Sequence, residues 1–222
     1  VRLFTCVNGM PGTQVGAEIQ TDANGNYSFT GLQPGEYVVQ FVAPNGTILS
    51  QANQGVDDAT DSDAGTGGFT GCYELSSGEN ETSVDAGLYQ LASIGDKVFN
   101  DTNANGIQDQ GENGVAGVTV RLFTCVNGMP GTQVGAEIQT DANGNYSFTG
   151  LQPGEYVVQF VAPNGTILSQ ANQGVSDATD SDAGSNGFTG CYELSSGENE
   201  TSVDAGLYQL ASIGDKVFND TN

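Results

Sequence analysis

The sequence predicts an all-β protein built as an antiparallel β-sandwich, and three observations carry that prediction. Apolar and polar residues alternate with period two in short runs. Asn-Gly and Pro-Gly pairs separate those runs, and 33 glycines are spread along a chain that shows no helical apolar periodicity. One long string also occurs twice. VRLFTCVNGMPGTQVGAEIQTDANGNYSFTGLQPGEYVVQF starts at Val1 and again at Val120, so residue n matches residue n + 119. Only three of the overlapping pairs differ: Asp57/Ser176, Thr66/Ser185 and Gly67/Asn186. A period of this length is the ordinary size of one domain.

A domain edge is expected where VDAGLYQL gives way to ASIGDKVFND, near Leu91/Ala92 and again near Leu210/Ala211. On that register residues 92–210 form one complete repeat. Residues 1–91 form a repeat without its first strand and loop, 211–222 open a third, and the chain reads as a fragment of a longer array. Within 92–210 the run VTVRLF places Val118, Val120 and Leu122 on one face and Thr119, Arg121 and Phe123 on the other. IGDKVF, NYSFTGL, EYVVQFV, TILSQ, GCYELSS and TSVDAGLY read as further strands. The turns between them are DANGN, QPG, APNG and SSGEN, whose Gly, Pro and Asn supply positive or fixed φ. The connector Gln209 to Ser212 is short and not rich in Gly and Ser, which predicts neighbouring repeats with restricted bending.

Charge narrows the partners. Twenty-seven acidic residues face only Arg2, Lys97, Arg121 and Lys216, and there is no histidine. Nucleic acid and anionic lipid require a basic surface and are excluded. No apolar stretch is long enough to span a membrane. The four cysteines, Cys6, Cys72, Cys125 and Cys191, allow three pairings. Only Cys6–Cys72 with Cys125–Cys191 gives both repeats the same closed structure, and it implies an oxidising, extracytoplasmic setting.

The acidic residues are not evenly spread. Residues 101–112 read DTNANGIQDQGE, with oxygen-bearing side chains at loop positions one, three, five, nine and twelve and glycine at six. This is the spacing of an EF-hand loop. Calcium takes roughly six to eight oxygens, and Asp101, Asn103, Asn105, the Ile107 carbonyl, Asp109 and a bidentate Glu112 can supply them. The flanks are strands, so the loop is expected on a sandwich without a sensor's helix pair. Asp220 and Asn222 open the same loop again.

A second cluster, Asp58, Asp61 and Asp63, recurs as Asp177, Asp180 and Asp182. Three carboxylates within six residues repel one another unless a cation sits among them, so a second calcium site is expected there. Asp96 and Asp215 in the IGDKVF strand, with Asp85 and Asp204 in VDAGLY, are candidates to complete its shell. Asp57 is replaced by Ser176 and is not expected to be a ligand. The DANGN segment at Asp22–Asn26 lies between alternating runs and reads as a hairpin turn.

Some features support less. Lys97 and Asp204 stand in a first and a last strand, where an isopeptide bond can form, but a repeat already closed by a disulfide has small need of one. Asn26, Asn45, Asn80 and Asn100 head N-x-S/T sequons that matter only in a glycosylating secretory pathway. Without histidine there is no Ser-His or Cys-His nucleophile system, so catalysis is disfavoured.

Four ordered motifs then take on a joint meaning: IGDKVFNDTNANGIQDQGENGVAGVTVRLF, TDANGNYSFTGLQPGEYVVQF, DATDSDAG and VDAGLY. Together they resemble the SdrD B-like repeats of serine-aspartate-repeat surface adhesins, which are related to collagen-adhesin B repeats. The resemblance implies a prealbumin-like or reversed immunoglobulin-like sandwich that binds calcium and spaces a functional head from a cell surface. It places the family's EF-like site on residues 101–112 and its second loop on Asp177, Asp180 and Asp182. The cysteine pair and the near-identity of the copies depart from the family pattern, and near-identity suits a periodic polymer. The expected role is a structural segment of an extracellular calcium-stabilised rod, stalk or filament. Its partners are then neighbouring repeats or other copies of the chain, joined by tandem continuation or by strand addition at an open sheet edge. The competing expectation is an adhesive repeat that binds a host or matrix ligand.

Overall fold

A computed structural model describes residues 1–219 in two compact units, Val1–Gln90 and Leu91–Asn222. The loop opening expected at Asp220 and Asn222 lies outside the described residues. Among those residues no helix is long and apolar enough to cross a membrane.

The first unit contains β1 (Arg2–Val7), β2 (Met10–Gln14), β3 (Gly35–Gln40), β4 (Ile48–Leu49), β5 (Tyr73–Leu75) and β6 (Leu88–Tyr89). The second contains β7 (Ala92–Asn100), β8 (Thr119–Val126), β9 (Met129–Gln133), β10 (Ile138–Gln139), β11 (Asn145–Leu151), β12 (Gly154–Val161), β13 (Ile167–Leu168), β14 (Tyr192–Leu194), β15 (Asn199–Glu200) and β16 (Ala205–Tyr208).

The second unit is a complete sandwich. One sheet runs β10-β8-β12-β14 with β9 beside β8, and the other runs β11-β7-β16-β13 with β15 beside β7. Their facing sides share one core. Val118, Val120 and Leu122 at or near β8, with Tyr156, Val158 and Phe160 of β12, meet Ile94 and Val98 of β7, Tyr146 and Phe148 of β11, and Leu207 of β16. The alternation read from VTVRLF therefore holds, since its three aliphatic residues are fully buried and their neighbours only partly. Tyr146 lies in the core and donates its hydroxyl to the Val203 carbonyl at 2.6 Å, which satisfies the one polar atom the ring carries inward.

Three features depart from the sequence expectation. The second sheet is mixed, because β7 pairs antiparallel with β11 but parallel with β16 and β15. Period-two alternation reports which face is buried and says nothing about strand direction. DANGN at 141–145 is a tight turn, with the Asp141 carboxylate accepting the Asn143 and Asn145 amides at 2.8 Å each. It is not a hairpin within one sheet, however, since it carries the chain from β10 in one sheet to β11 in the other. β9 is a strand despite Pro130 and Gly131. It pairs only with β8, across a register shift between Phe123 and Cys125, and an edge position tolerates a proline.

The cysteines pair within each unit, Cys6–Cys72 and Cys125–Cys191, with Cα atoms 5.9 Å apart in both. Each bridge ties β1 or β8 to the residue before β5 or β14, the two strands that flank β3 or β12.

The first unit keeps the β2-β1-β3-β5 sheet and a short β4-β6 ladder. Residues 26–32 are identical to the β11 sequence, yet they form no strand there. The counterpart of β15 is absent too, and that of β16 is reduced to two residues. Most of the missing pieces pair with β7 in the second unit; the counterpart of β10, which pairs with β8, is absent as well.

Candidate metal centre

β7 delivers the EF-like loop. Asp101 follows its last residue, and the Asp101 amide donates to the Leu207 carbonyl of β16 at 2.9 Å, so the loop starts from the ladder joining the first and last strands. The Asp101 carboxylate is 1% exposed and accepts the Asn105 amide at 3.1 Å and the Gly106 amide at 2.7 Å. Gly106 has φ +77°, and a Cβ there would lie 2.4 Å from the Gln170 carbonyl oxygen. Both the left-handed backbone and the close approach require glycine. Asn103 and Asn105 converge on Asp109, each donating its side-chain amide to Oδ2, at 2.8 and 3.0 Å. Glu112 is buried and closes the loop, accepting the Thr102 amide and hydroxyl on one oxygen and the Asp109 amide on the other.

The second cluster packs directly against this loop. The Ser181 amide donates to the Gly106 carbonyl at 2.9 Å, the Gln108 amide donates to the Thr179 carbonyl at 2.6 Å, and Ile107 faces Asp180 in an isolated antiparallel bridge. Two loops that the sequence presents as separate sites are thus laced into one acidic region. Asp177, Asp180 and Asp182 have carboxylate oxygens within 4.8 Å of one another, as do Asp58, Asp61 and Asp63 in the first unit. Asp180 and Asp182 are buried and Asp177 is exposed.

Asp204 lies deeper. It is 1% exposed, its amide donates to Asp182 Oδ2 at 2.6 Å, and its Oδ1 accepts the Lys97 amide at 3.1 Å. Burial pushes the Asp204 carboxyl up to about 8, the nearby Asp96 adding to the rise. Burial likewise raises Asp182 to about 7, against the Asp204 amide and the Tyr192 hydroxyl, which favour its charged form. Asp180 rises through burial and the Asp177 charge, and Asp96 rises through burial, partly offset by Lys97. In the first unit Asp85 rises for the same reasons, burial first and then Asp63.

Asp180 Oδ1, Asp204 Oδ2 and Asp61 Oδ1 are buried and accept no hydrogen bond. An unpaired carboxylate oxygen inside a protein is costly, and a cluster of them is a donor set for a hard cation. The Asp180 and Asp204 oxygens, and Asp61 in the first unit, therefore have the chemistry of a calcium donor set. Asp101, Asn103, Asn105, Ile107, Asp109 and Glu112 would hold one ion, and Asp177, Asp180 and Asp182 with Asp204 behind them a second. Asp58, Asp61 and Asp63 repeat the second set beside Asp85. Asp215 is exposed on the segment that follows β16. Lys97 and Asp204 form no ion pair within 4.0 Å among the described residues, which leaves the amine away from the carbonyl carbon an isopeptide bond needs.

The lacing of the two loops was beyond the sequence signal, since the bridge between Ile107 and Asp180 spans 73 positions with no local mark. The same holds for Tyr192, whose hydroxyl hydrogen-bonds Asp182.

A family model of the SdrD B-like domain matches residues 5–88 and 92–207. Serine-aspartate repeat-containing protein F of Staphylococcus epidermidis is 38% identical over 205 residues, covering 91% of this chain and 12% of that protein. Serine-aspartate repeat-containing protein D of Staphylococcus aureus is 36% identical over 207 residues, covering 92% of this chain and 15% of its own length. The chain thus spans a small part of these relatives. Among solved structures, GBS52, the minor pilin of Streptococcus agalactiae, superposes with a TM-score of 0.38 at 13% identity, over 89% of this chain and 70% of that one, which is too loose a likeness to assign a role. With both units matched almost end to end, the chain belongs to the SdrD B-like domain family.

Proposed function

We propose that this chain is a structural segment of an extracellular rod, stalk or filament at a microbial cell surface, and that calcium stiffens and stabilises its units. The observation that carries the reading is the lacing of the EF-like loop to the Asp177–Asp182 loop, with buried carboxylate oxygens left unpaired among them. Calcium there would cancel repulsion that the protein itself leaves uncompensated, in a chain of net charge −23. Two intra-unit disulfides agree with an oxidising, extracellular setting.

The role assigned to the cation is mechanical and thermodynamic. It holds the end of β7 and the following loop against the loop before β14, so that the first strand cannot peel away. Binding to the folded form alone adds stability by mass action, about 2.7 kcal/mol at a hundredfold excess over the dissociation constant. Thermal unfolding in calcium and in a chelator tests this, together with small-angle scattering under both conditions. The expected result is a higher melting temperature and a longer maximum dimension with calcium. Identical melting in calcium and chelator would overturn the reading.

A further inference from the structure

We propose that Asn164, with its copy Asn45, is a self-modification site at which the folded chain converts its own asparagine amide to a carboxylate. The conversion needs water and no enzyme, and it does not depend on the calcium reading.

An asparagine followed by glycine can cyclise. The glycine backbone nitrogen attacks the asparagine Cγ, a C–N bond forms and the Cγ–Nδ2 bond breaks. The side-chain nitrogen leaves as ammonia, carrying the proton that the glycine nitrogen gives up. Water then opens the five-membered imide at one of its two carbonyls, giving aspartate or isoaspartate. Glycine is the enabling neighbour because it has no Cβ to obstruct the approach. In a folded chain the glycine N–H must also be free of an acceptor, and the peptide that joins the two residues must be able to turn.

Six asparagines of the second unit precede glycine: Asn105, Asn113, Asn127, Asn143, Asn164 and Asn186. All six are exposed, so access to solvent does not separate them. The backbone does. The Gly106 amide donates to Asp101 Oδ2 at 2.7 Å, the Gly144 amide to the Asp141 carbonyl at 3.0 Å and the Gly187 amide to the Gly184 carbonyl at 2.8 Å. The Asn113 carbonyl accepts the Asn100 amide at 2.8 Å, and Gly114 packs so closely that a Cβ there would lie 1.6 Å from the Asn143 carbonyl oxygen. Asn127 and Gly128 form a two-residue hairpin turn with φ of +53° and +77°, closed by the pairing of Val126 with Met129. Turning the peptide there would break the ladder beside the Cys125 bridge.

Asn164 and Gly165 meet none of these restraints. They lie between β12 and β13, outside both ladders. Thr166 closes the turn over them, donating its amide and its hydroxyl to the Pro163 carbonyl at 3.0 and 2.8 Å. Among the described residues the Gly165 N–H then has no acceptor and the Asn164 side chain no hydrogen-bond partner. A Cβ on Gly165 would meet nothing within 4 Å, so the ring has room to form. Asn45 and Gly46 repeat the arrangement, with Thr47 donating to Pro44 at 3.1 and 2.9 Å and open space at Gly46. Each event adds a negative charge. The isoaspartyl product also lengthens the backbone by one carbon just before β13, which is held to β16 by only Ile167–Tyr208 and Leu168–Leu207.

Peptide mapping by mass spectrometry of the folded 222-residue chain, aged in mildly alkaline buffer with calcium and separately with chelator, tests the proposal. Isoaspartate is counted by enzymatic methylation. Asn164 and Asn45 are expected to convert first, roughly tenfold or more faster than Asn105, Asn143 and Asn186. In the chain reduced and unfolded in urea, the six should converge to similar rates, because the restraints that separate them are gone. Asn164→Ser should remove the product from that turn and leave Asn45 converting as before. Conversion of Asn105, Asn143 or Asn186 in the folded chain as fast as Asn164 overturns the proposal. So does an Asn164 that keeps its amide in the folded chain while the unfolded chain loses it.

Discussion

Residues 26–32 and 145–151 have the same sequence and different structures. In the second unit NYSFTGL is β11, hydrogen-bonded along β7 over six residue pairs, with its aromatic rings buried. In the first unit the same seven residues form no strand and their rings are partly exposed. Tyr27 still donates to the Val84 carbonyl at 2.6 Å, as Tyr146 does to Val203, so local anchoring survives while the ladder does not. β7 gives β11, β15 and β16 their partner; without its equivalent, and without a counterpart of β10, the first unit retains a four-stranded sheet and a two-strand remnant.

The comparison can be broken most directly at the disulfides, which are alike in the two units. Each closes 66 residues, and the chain-entropy account assigns such a loop about 4 kcal/mol. Replacing Cys6 and Cys72 by serine is expected to abolish the calorimetric transition of the first unit, whose core is smaller. Replacing Cys125 and Cys191 should lower the second unit's transition without removing it. A second comparison uses one side chain in two environments. Leu207→Ala is expected to cost about 3 kcal/mol through lost burial and a residual cavity, and Leu88→Ala under about 1 kcal/mol. Equal shifts in calorimetry would show that the first unit is closed in solution.

pH sharpens the contrast next. Asp182 and Asp204 are raised to about 7 and about 8 from an ordinary 3.8, so the folded second unit holds their protons more tightly than the unfolded chain. Without metal its stability is full below about pH 4, falls as pH climbs, and has lost this contribution above about pH 8. Calcium binding should accordingly release protons near pH 6.5 and few above pH 9, measurable by calorimetry in buffers of different ionisation enthalpy. Asp180→Asn is expected to weaken calcium binding roughly tenfold in titration calorimetry, since it removes charge from a buried donor set. Smallest of all, Ser176→Asp restores the residue found at Asp57 and should move stability by under about 0.5 kcal/mol. A large effect there would make position 176 part of the centre.

The sequence made some of this legible and hid the rest for identifiable reasons. Val118, Val120 and Leu122 announced a buried strand face because alternation is a local property. Asp101 to Glu112 announced a cation loop because its ligands are contiguous. The pairing of β7 with β16 was invisible, since strand direction leaves no trace in alternation and the partners lie more than a hundred positions apart. The bridge from Ile107 to Asp180 was hidden for the same reason. β9 was missed because Pro130 and Gly131 argue against a strand everywhere except at an edge. Most instructive is NYSFTGL, where no local reading can separate two identical strings that differ only in whether a neighbour is present.

The parallel pairing of β7 with β16 also decides how the second unit meets a load. Tension applied through the chain enters at Ala92 and leaves near Tyr208, at opposite ends of two strands lying side by side. The ladder hydrogen bonds are therefore sheared together, with no single bond opened ahead of the others. Should they yield, Cys125–Cys191 withholds the 66 residues it closes, roughly 220 Å of extended chain, from the lengthening that follows. A unit wired in this way resists pulling up to a threshold and then gives by a bounded step, as a safety strap does.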